Sequence, residues 1–439
     1  MIKVCKFGGT SMADANAIRK VREIITSDCD RKYVVVSAPG KRNKEDIKIT
    51  DTLYSCYSEI MEKGNCNKYF SLIRERFTGI VSDLGLDLDI KSILDQTEKE
   101  MIENRSADFC ASRGEYLSAL IFASFIGFEF VDAVDMIRFD SEGRLNIDYT
   151  DDKVKNVLNG KENVVIPGFY GRSYEGKVKT FSRGGSDITG SIIARGVKAD
   201  LYENFTDVSG FLVCDPRIVP MAKTIRQITY KELRELSYMG ASVLHSEAIF
   251  PVMKKKIPIN IKNTFSPQDE GTMIVPNDKY NYREGDSIIT GIAGKKDFTV
   301  IIIEKSMMNS EVGFIRRVLS VIEHHGLCVE HLPSGIDTLS VVVSSEQLKN
   351  GILSDVINEI RENVSPDYIQ VIENISLIAT VGHGMTRRPG TAGKLFTSLA
   401  EAGINVVMID QGSSELNIII GVANSDYEKT IKTIYKAFI

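Results

Sequence analysis

The side chains of this sequence best suited to chemistry are basic residues set beside paired glycines. The first case is KFGGTS, where Lys6 precedes Gly8 and Gly9 at the end of a short apolar run. Glycines let the backbone approach a phosphate closely, and the N-terminus of a following helix directs N–H groups at it. Lys6 would then set a positive charge beside a transferring group. A tight turn whose lysine reaches solvent along its aliphatic stem would carry the same residues. The second case is TFSRGGSDITGS (180–191), in which Arg183, Gly184, Gly185, Ser186 and Asp187 again join a glycine pair to charges of both signs. A plain helix cap would use Ser186 and Asp187 as well. Two such turns in one segment favour an anion site.

The third group is Arg113-Gly114-Glu115, read as the start of an otherwise apolar helix. A carboxylate in a first helical turn offsets the macrodipole, while the functional alternative is a group that holds a substrate ammonium. FTDVSGFLVCDPR (205–217) places Thr206, Asp207, Asp215 and Arg217 around a glycine and a proline. That pattern suits a loop around a nucleotide and equally an ordinary turn. His245 stands alone and is read as structural; the other four histidines lie in the last third without spaced partners, so no zinc set is expected. Walker spacing ending in Gly-Lys-Ser/Thr is absent, and no GxGxxG follows the first strand. No Ser-His-Asp or Cys-His arrangement can be assembled.

Such groups need rigid elements to hold them. KVCKF and YVVVSAP (33–39) read as strands around a helix near 12–27. Further strands are expected at 128–134, 162–169 and 198–205, with helices at 113–126 and 190–197 between them. Near-continuous apolar strands alternating with helices imply an α/β fold, a largely parallel sheet sandwiched by helices. In such a sheet the ligand crevice lies at the carboxyl ends of the strands, where Lys6 falls. Residues 58–105 read as solvent-facing amphipathic helices, and 41–48 as a mobile loop beside Thr50.

The last third repeats itself. Gly313, Gly326 and Gly335 recur as Gly390, Gly403 and Gly412, each 77 residues on, and SVVV (340–343) lands on NIII (417–420). A shared offset in glycines and apolar positions marks two copies of one α+β unit, packed side by side.

At 439 residues the chain has room for two or three domains. Hydrophobic residues at 43% and charged residues at 26% are those of a soluble globular protein. A net charge of -5 gives no reason to expect nucleic acid, and no apolar run approaches a membrane span, so no membrane partner is expected either. Lys3 and Lys6 interrupt any secretory leader, and seven cysteines without a CxxC pair look reduced, so a cytoplasmic location is expected.

Taken together, KFGGTS, VVSAPG, RGE, FSRGGSD and TDVSGFLVCDPR resemble, in order, the motifs of the aspartokinase branch of the amino acid kinase superfamily. The 77-residue repeat resembles the paired ferredoxin-like ACT modules of such enzymes, in their lysine-sensitive monofunctional type. The resemblance implies a catalytic domain over 1–285, a first ACT domain over 297–375, and a second from 286–296 plus 376–439. At 439 residues the sequence is expected to be too short for the homoserine dehydrogenase domain fused in some relatives. The implied reaction moves the γ-phosphoryl group of ATP, carried with Mg²⁺, to the side-chain carboxylate of L-aspartate. This is the first step of lysine, threonine and methionine biosynthesis.

On this resemblance Lys6 would neutralise the transferring phosphoryl, with Gly8 and Gly9 in close backbone contact. Asp187 would orient the lysine and substrate. Arg183 would clamp the α-carboxylate and Glu115 the α-ammonium, while Ser37, Thr50 and Ser186 add polar contacts. Thr206, Asp207, Leu212 and Arg217 would face the nucleotide. Met308, Ser310, Phe314, Cys328, Val329, Glu330 and Ser334 would line an effector site, expected to take lysine. Pairing of ACT modules implies a homodimer or a dimer of dimers. Two departures stand out: Ser242 where the family often has lysine, and Phe205 where it has tryptophan before Thr-Asp. Two other readings are a same-fold kinase of another acid, such as glutamate or a nucleoside monophosphate, and a non-catalytic amino-acid sensor. Relatives acting on other acids lack the tandem modules, and the retained Lys6, Arg183 and Asp187 argue against a sensor.

Overall fold

The apolar run at the chain start forms β1 (Lys3–Phe7), whose residues alternate between two faces as strand geometry requires. The computed structural model describes residues 1–182, 184–241, 246–281, 287–386, 388–412 and 414–439. By contacts the chain divides into two units. The first is built from Met1–Phe211 and Thr224–Tyr230, with the described residues from there to Asn281 after Ala241.

In this unit β1 is joined by β2 (Arg31–Val36), β3 (Glu129–Phe130), β4 (Val164–Pro167), the hairpin of β5 (Tyr170–Arg172) and β6 (Val178–Thr180), β7 (Leu201–Thr206), β8 (Gln227–Thr229), β9 (Ile259–Asn263) and β10 (Thr272–Val275). Eight of them form one sheet in the order β3-β4-β2-β1-β7-β9-β10-β8. Every pair is parallel except β9 with β10. β1 sits near the middle, between β2 and β7, so its carboxyl end opens onto the crevice that the topology favours.

The helices are α1 (Ala15–Thr26), α2 (Ile49–Lys63), α3 (Asn67–Leu84), α4 (Ile90–Asn104), α5 (Ala107–Ile126), α6 (Ile147–Val157), α7 (Gly185–Gly196), α8 (Tyr230–Tyr238), which beyond Tyr230 belongs to the second unit, and α9 (Phe250–Met253). Residues 58–105 are not merely solvent-facing. Phe70, Ile73 and Phe77 of α3 and Leu94 and Met101 of α4 are buried in one core with Cys5, Phe7 and Phe122. Truncating one such phenylalanine to alanine costs roughly 3–5 kcal/mol. The 41–48 segment is tied down: Arg76 of α3 reaches Asp46 at 2.6 Å and the Gly40 carbonyl at 3.1 Å. The strand expected over 128–134 shrinks to two residues, because Asp132 accepts the Val134 N–H and starts a 3₁₀ turn. Among the described residues no helix is long and apolar enough to cross a membrane.

The second unit takes in Leu212–Lys223, Lys231–Ala241 and the described residues beyond Asn281. It contains β11 (Gly291–Glu304), α10 (Phe314–His324), β12 (Val329–His331), β13 (Thr338–Ser344), α11 (Ile352–Val364), β14 (Tyr368–Val381), α12 (Thr391–Glu401), β15 (Met408–Asp410), β16 (Asn417–Ala423) and α13 (Tyr427–Phe438). The six strands form one antiparallel sheet, β12-β13-β11-β14-β16-β15. β11 and β14 are long enough to serve both repeats, each half building its own apolar core. The 77-residue offset holds from α10 to α12, and Gly313 and Gly390 take the same left-handed position before them. It then slips to 79. Phe298 pairs with Ser344, whereas Ile375, 77 residues on, pairs with Ala423. A slip of two residues keeps the same side chains facing the core, so the apolar pattern hid it.

Candidate active site

Alternation along β1 decides what Lys6 does. Cys5 and Phe7 point into the core shared with α1 to α5, so Lys6 must point to the other face. There its Nζ lies 2.6 Å from Asp187 Oδ1 on α7, with the lysine almost wholly buried. The Phe7 and Phe205 rings stack 4.7 Å apart beneath. The Gly8 N–H donates to the Phe205 carbonyl at 3.1 Å, and the Gly9 carbonyl accepts from Gly40 N–H at 2.8 Å. A Cβ on Gly40 would stand 2.6 Å from the Gly9 carbonyl carbon, so two loops meet here at backbone distance. The helix expected to aim N–H groups at a phosphate does not follow directly. A 3₁₀ turn, Gly9–Met12, intervenes, and Asp14 closes the first turn of α1 by accepting the Ala17 N–H.

α7 is the helix that opens at this point. Its N-cap is Gly184, in the left-handed region at φ 59°, and no side chain caps it. Ser186 and Asp187 therefore lie inside the first turn rather than capping it. This turn is seated against Gly168 and Phe169: a Cβ on Gly168 would come within 2.7 Å of Ser186, and one on Gly185 within 2.5 Å of the Phe169 ring. The Phe169 N–H donates to Thr189 Oγ1 at 3.1 Å. Asp187 is oriented by β7, since Asn204 Nδ2 donates to its Oδ1 at 2.9 Å and Tyr202 Oη to its backbone carbonyl at 3.1 Å.

A cavity of about 230 Å³ brings Lys6, Ser37, Thr50, Glu115, Ser186 and Asp187 together, with Phe169 beside them. Phe169 and Asn204 escaped the sequence reading. Arg183 lies outside the described residues, as do Ser242 and His245.

Glu115 departs from its expected place. α5 begins at Ala107 behind a Ser106 cap, so Glu115 lies two turns inside the helix and not in its first turn. The macrodipole reading therefore fails. Gly114 lets α5 approach the Ser37–Ala38 turn, because a Cβ there would stand 2.8 Å from Ala38 Cβ. The Ala38 N–H serves the carboxyl group, yet Glu115 Oε2 is buried without a hydrogen-bond partner. Burial, only partly offset by that N–H and by Arg113, pushes the carboxyl up to about 8. A buried carboxyl group facing a cavity with one oxygen unpartnered is one that an incoming cation would ionise.

Thr206 ends β7, and its hydroxyl contacts Asp207 Oδ1 at 3.3 Å. Leu212 and Arg217 belong to the second unit, where Asp215 holds the Arg217 guanidinium at 2.7 Å. Of the effector residues, Met308 and Phe314 are buried in the core of the first repeat. Ser310 closes a 3₁₀ turn before α10, and Ser334 bridges to Leu339. Cys328 is exposed, with its N–H on Gln347 Oε1 at 2.8 Å, while Val329 and Glu330 lie on β12. Glu330 accepts a hydrogen bond from the Tyr238 hydroxyl.

Comparison with known proteins agrees with this architecture. Residues 1–263 match the amino acid kinase family, and residues 378–438 match an ACT domain. The chain is 38% identical to aspartokinase 3 of Bacillus subtilis, over 100% of this chain and 98% of the relative. It superposes on the aspartate kinase of Clostridium acetobutylicum with a TM-score of 0.90 at 52% identity, covering 100% of each. It shares its fold with Escherichia coli aspartokinase III, solved with aspartate and ADP, at a TM-score of 0.73 and 23% identity over 100% of this chain and 99% of the other. The chain belongs to the aspartokinase branch of the amino acid kinase family, ATP-dependent phosphotransferases that act on aspartate.

Proposed function

We propose that the cavity at the end of β1 binds L-aspartate against the terminal phosphate of MgATP and yields 4-phospho-L-aspartate and ADP. This is the entry step toward lysine, threonine and methionine. The observation that carries the reading is the presence of a buried cation, Lys6, and a buried half-satisfied carboxyl group, Glu115, in one small cavity. An α-amino dicarboxylic acid offers the complementary charges.

Glu115 takes the α-ammonium, and Arg183 clamps the α-carboxylate in a bidentate fork. Ser37, Thr50 and Ser186 supply polar contacts that fix the side-chain carboxylate in line with the γ-phosphorus. One carboxylate oxygen forms the new bond to phosphorus while the bond to the β,γ-bridging oxygen breaks and its electron pair leaves with ADP. The nucleophile is already an anion, so no general base is required, and Asp187 holds Lys6 rather than abstracting a proton. Lys6 meets the charge that develops on the phosphoryl oxygens, aided by backbone at Gly8 and Gly9 and by the open first turn of α7. Mg²⁺ carried by the nucleotide would neutralise its phosphates. Thr206 and Asp207 stand on the nucleotide side.

The tandem ACT modules support feedback inhibition by an amino acid, with lysine as our reading. Glu330 would receive its ammonium, and the residues from Met308 to Phe314, with Cys328, Val329 and Ser334, would shape the site. A homodimer or dimer of dimers through these modules and a cytoplasmic location complete the reading. Hydroxylamine traps the acyl phosphate, so the test is hydroxamate formation with aspartate and MgATP, run with lysine, threonine, methionine and their pairs. Aspartate-dependent hydroxamate suppressed by lysine supports the reading. Product with glutamate but not aspartate would move the chain to a neighbouring kinase of the same fold.

A further inference from the structure

The two helices of the first ACT module carry three metal-ligating side chains that neither the reaction nor the effector site uses. His324 ends α10, His325 caps it, and Glu359 lies on α11. His324 Nδ1 stands 3.0 Å from Glu359 Oε2, and His325 Nε2 stands 2.9 Å from the same oxygen. The donor atoms of all three lie within 4.8 Å of one another. We infer that His324, His325 and Glu359 form a site for a divalent transition-metal ion of the Zn²⁺ class, completed by water.

Geometry supports this first. Metal–ligand bonds of about 2.0–2.1 Å at tetrahedral or octahedral angles separate adjacent donors by roughly 2.9–3.4 Å. Both nitrogen–oxygen distances fall in that range, so small side-chain adjustments would admit an ion. Chemistry supports it next: two imidazoles and one carboxylate form a donor set that favours zinc, copper or nickel over magnesium or calcium. The site is also held in advance. Val318, Val321 and Ile322 of α10 and Val356 and Ile360 of α11 are buried in one core, which fixes the helices that carry the ligands. His324 is 71% exposed and gives a hydrated ion access, while His325 and Glu359 are mostly covered.

A second group, Asp28, Cys29 and Asp30, differs in a decisive way. Asp28 is paired with Lys3 at 2.5 Å and Asp30 with the N-terminal ammonium at 3.3 Å, so cations already balance both carboxylates. At the α10–α11 cluster Glu359 is instead held by the two candidate ligands themselves. Bound there, the ion would pin the end of α10 to α11 and raise the stability of the first module.

The test uses the full chain, stripped by chelation and without MgATP. Zn²⁺ is titrated by calorimetry, and Co²⁺ by its visible absorption. The site predicts binding that weakens by about tenfold or more in His325→Ala and Glu359→Gln and is unchanged in Cys29→Ser. It also predicts a rise in melting temperature with Zn²⁺ in the wild type, lost in both ligand variants. Kinase activity with MgATP and no zinc confirms that the variants are folded. Absence of binding in the folded wild type, binding retained in both ligand variants, or binding lost in Cys29→Ser would each overturn the inference.

Discussion

Lys6 Nζ and Asp187 Oδ1, joined at 2.6 Å, couple the end of β1 to the first turn of α7. The same carboxylate oxygen accepts from Asn204 Nδ2 at 2.9 Å, so β7 sets where Asp187, and through it Lys6, points. Asn204 is thus a positioning residue. Asn204→Ala is expected to lower kcat by about tenfold with little change in KM for aspartate, since a misplaced charge is felt most in the transition state. Asn204→Asp, which sets a second carboxylate against Asp187, should be worse than alanine. Steady-state kinetics of both variants checks the order.

With Glu115 as the proposed partner of the substrate ammonium, aspartate binding is expected to depend on pH. Its carboxyl is raised to about 8, so in the free enzyme it holds a proton at neutral pH. Pairing with an ammonium needs the ionised form, so binding expels that proton. KM for aspartate should rise as pH falls from about 8 to 6, by up to about tenfold per unit. In Glu115→Gln this slope should disappear while KM stays high throughout. A slope that survives in Glu115→Gln assigns the titration to another group.

Tyr238 holds the carboxylate that the effector would need. Its hydroxyl donates to Glu330, and Lys295 Nζ lies 5.0 Å from its ring centroid. An incoming ammonium must compete with that hydroxyl. Tyr238→Phe is expected to shift lysine inhibition several-fold toward lower lysine, and Glu330→Ala to shift it about tenfold or more the other way, with the uninhibited rate kept in both. Inhibition curves for the two variants measure this. Equal loss of rate and inhibition in Glu330→Ala would put the effector elsewhere.

The placement of Lys6 and Asp187 was legible because each follows from short-range pattern: an apolar strand broken by glycines, and a glycine pair before a helix. Other features depended on longer range. Glu115 was read as opening a helix because Arg113 and Glu115 interrupt an apolar run, yet Ser106-Ala107-Asp108 carries the real start signal, a cap with an acid in the first turn. Phe169 sits at a positive φ of 78° that nothing in its residue type announces. Asn204 had a usable signal, a polar residue between Glu203 and Phe205 in a buried strand, the reasoning that singled out Lys6. The two-residue slip of the second repeat was invisible because it preserves which residues face the core. The histidines of the last third read as unpartnered because Glu359 is brought to His324 and His325 only by the packing of α10 on α11.

The proposed chemistry depends on the amine of Lys6 neutralising charge on the phosphoryl group in flight. Turnover and KM of Lys6→Ala, measured with saturating MgATP across aspartate concentrations, test it most directly. In this variant kcat is expected to fall by about 10²- to 10⁴-fold while KM for aspartate stays within about twofold. A variant with wild-type kcat and a change confined to KM would contradict it.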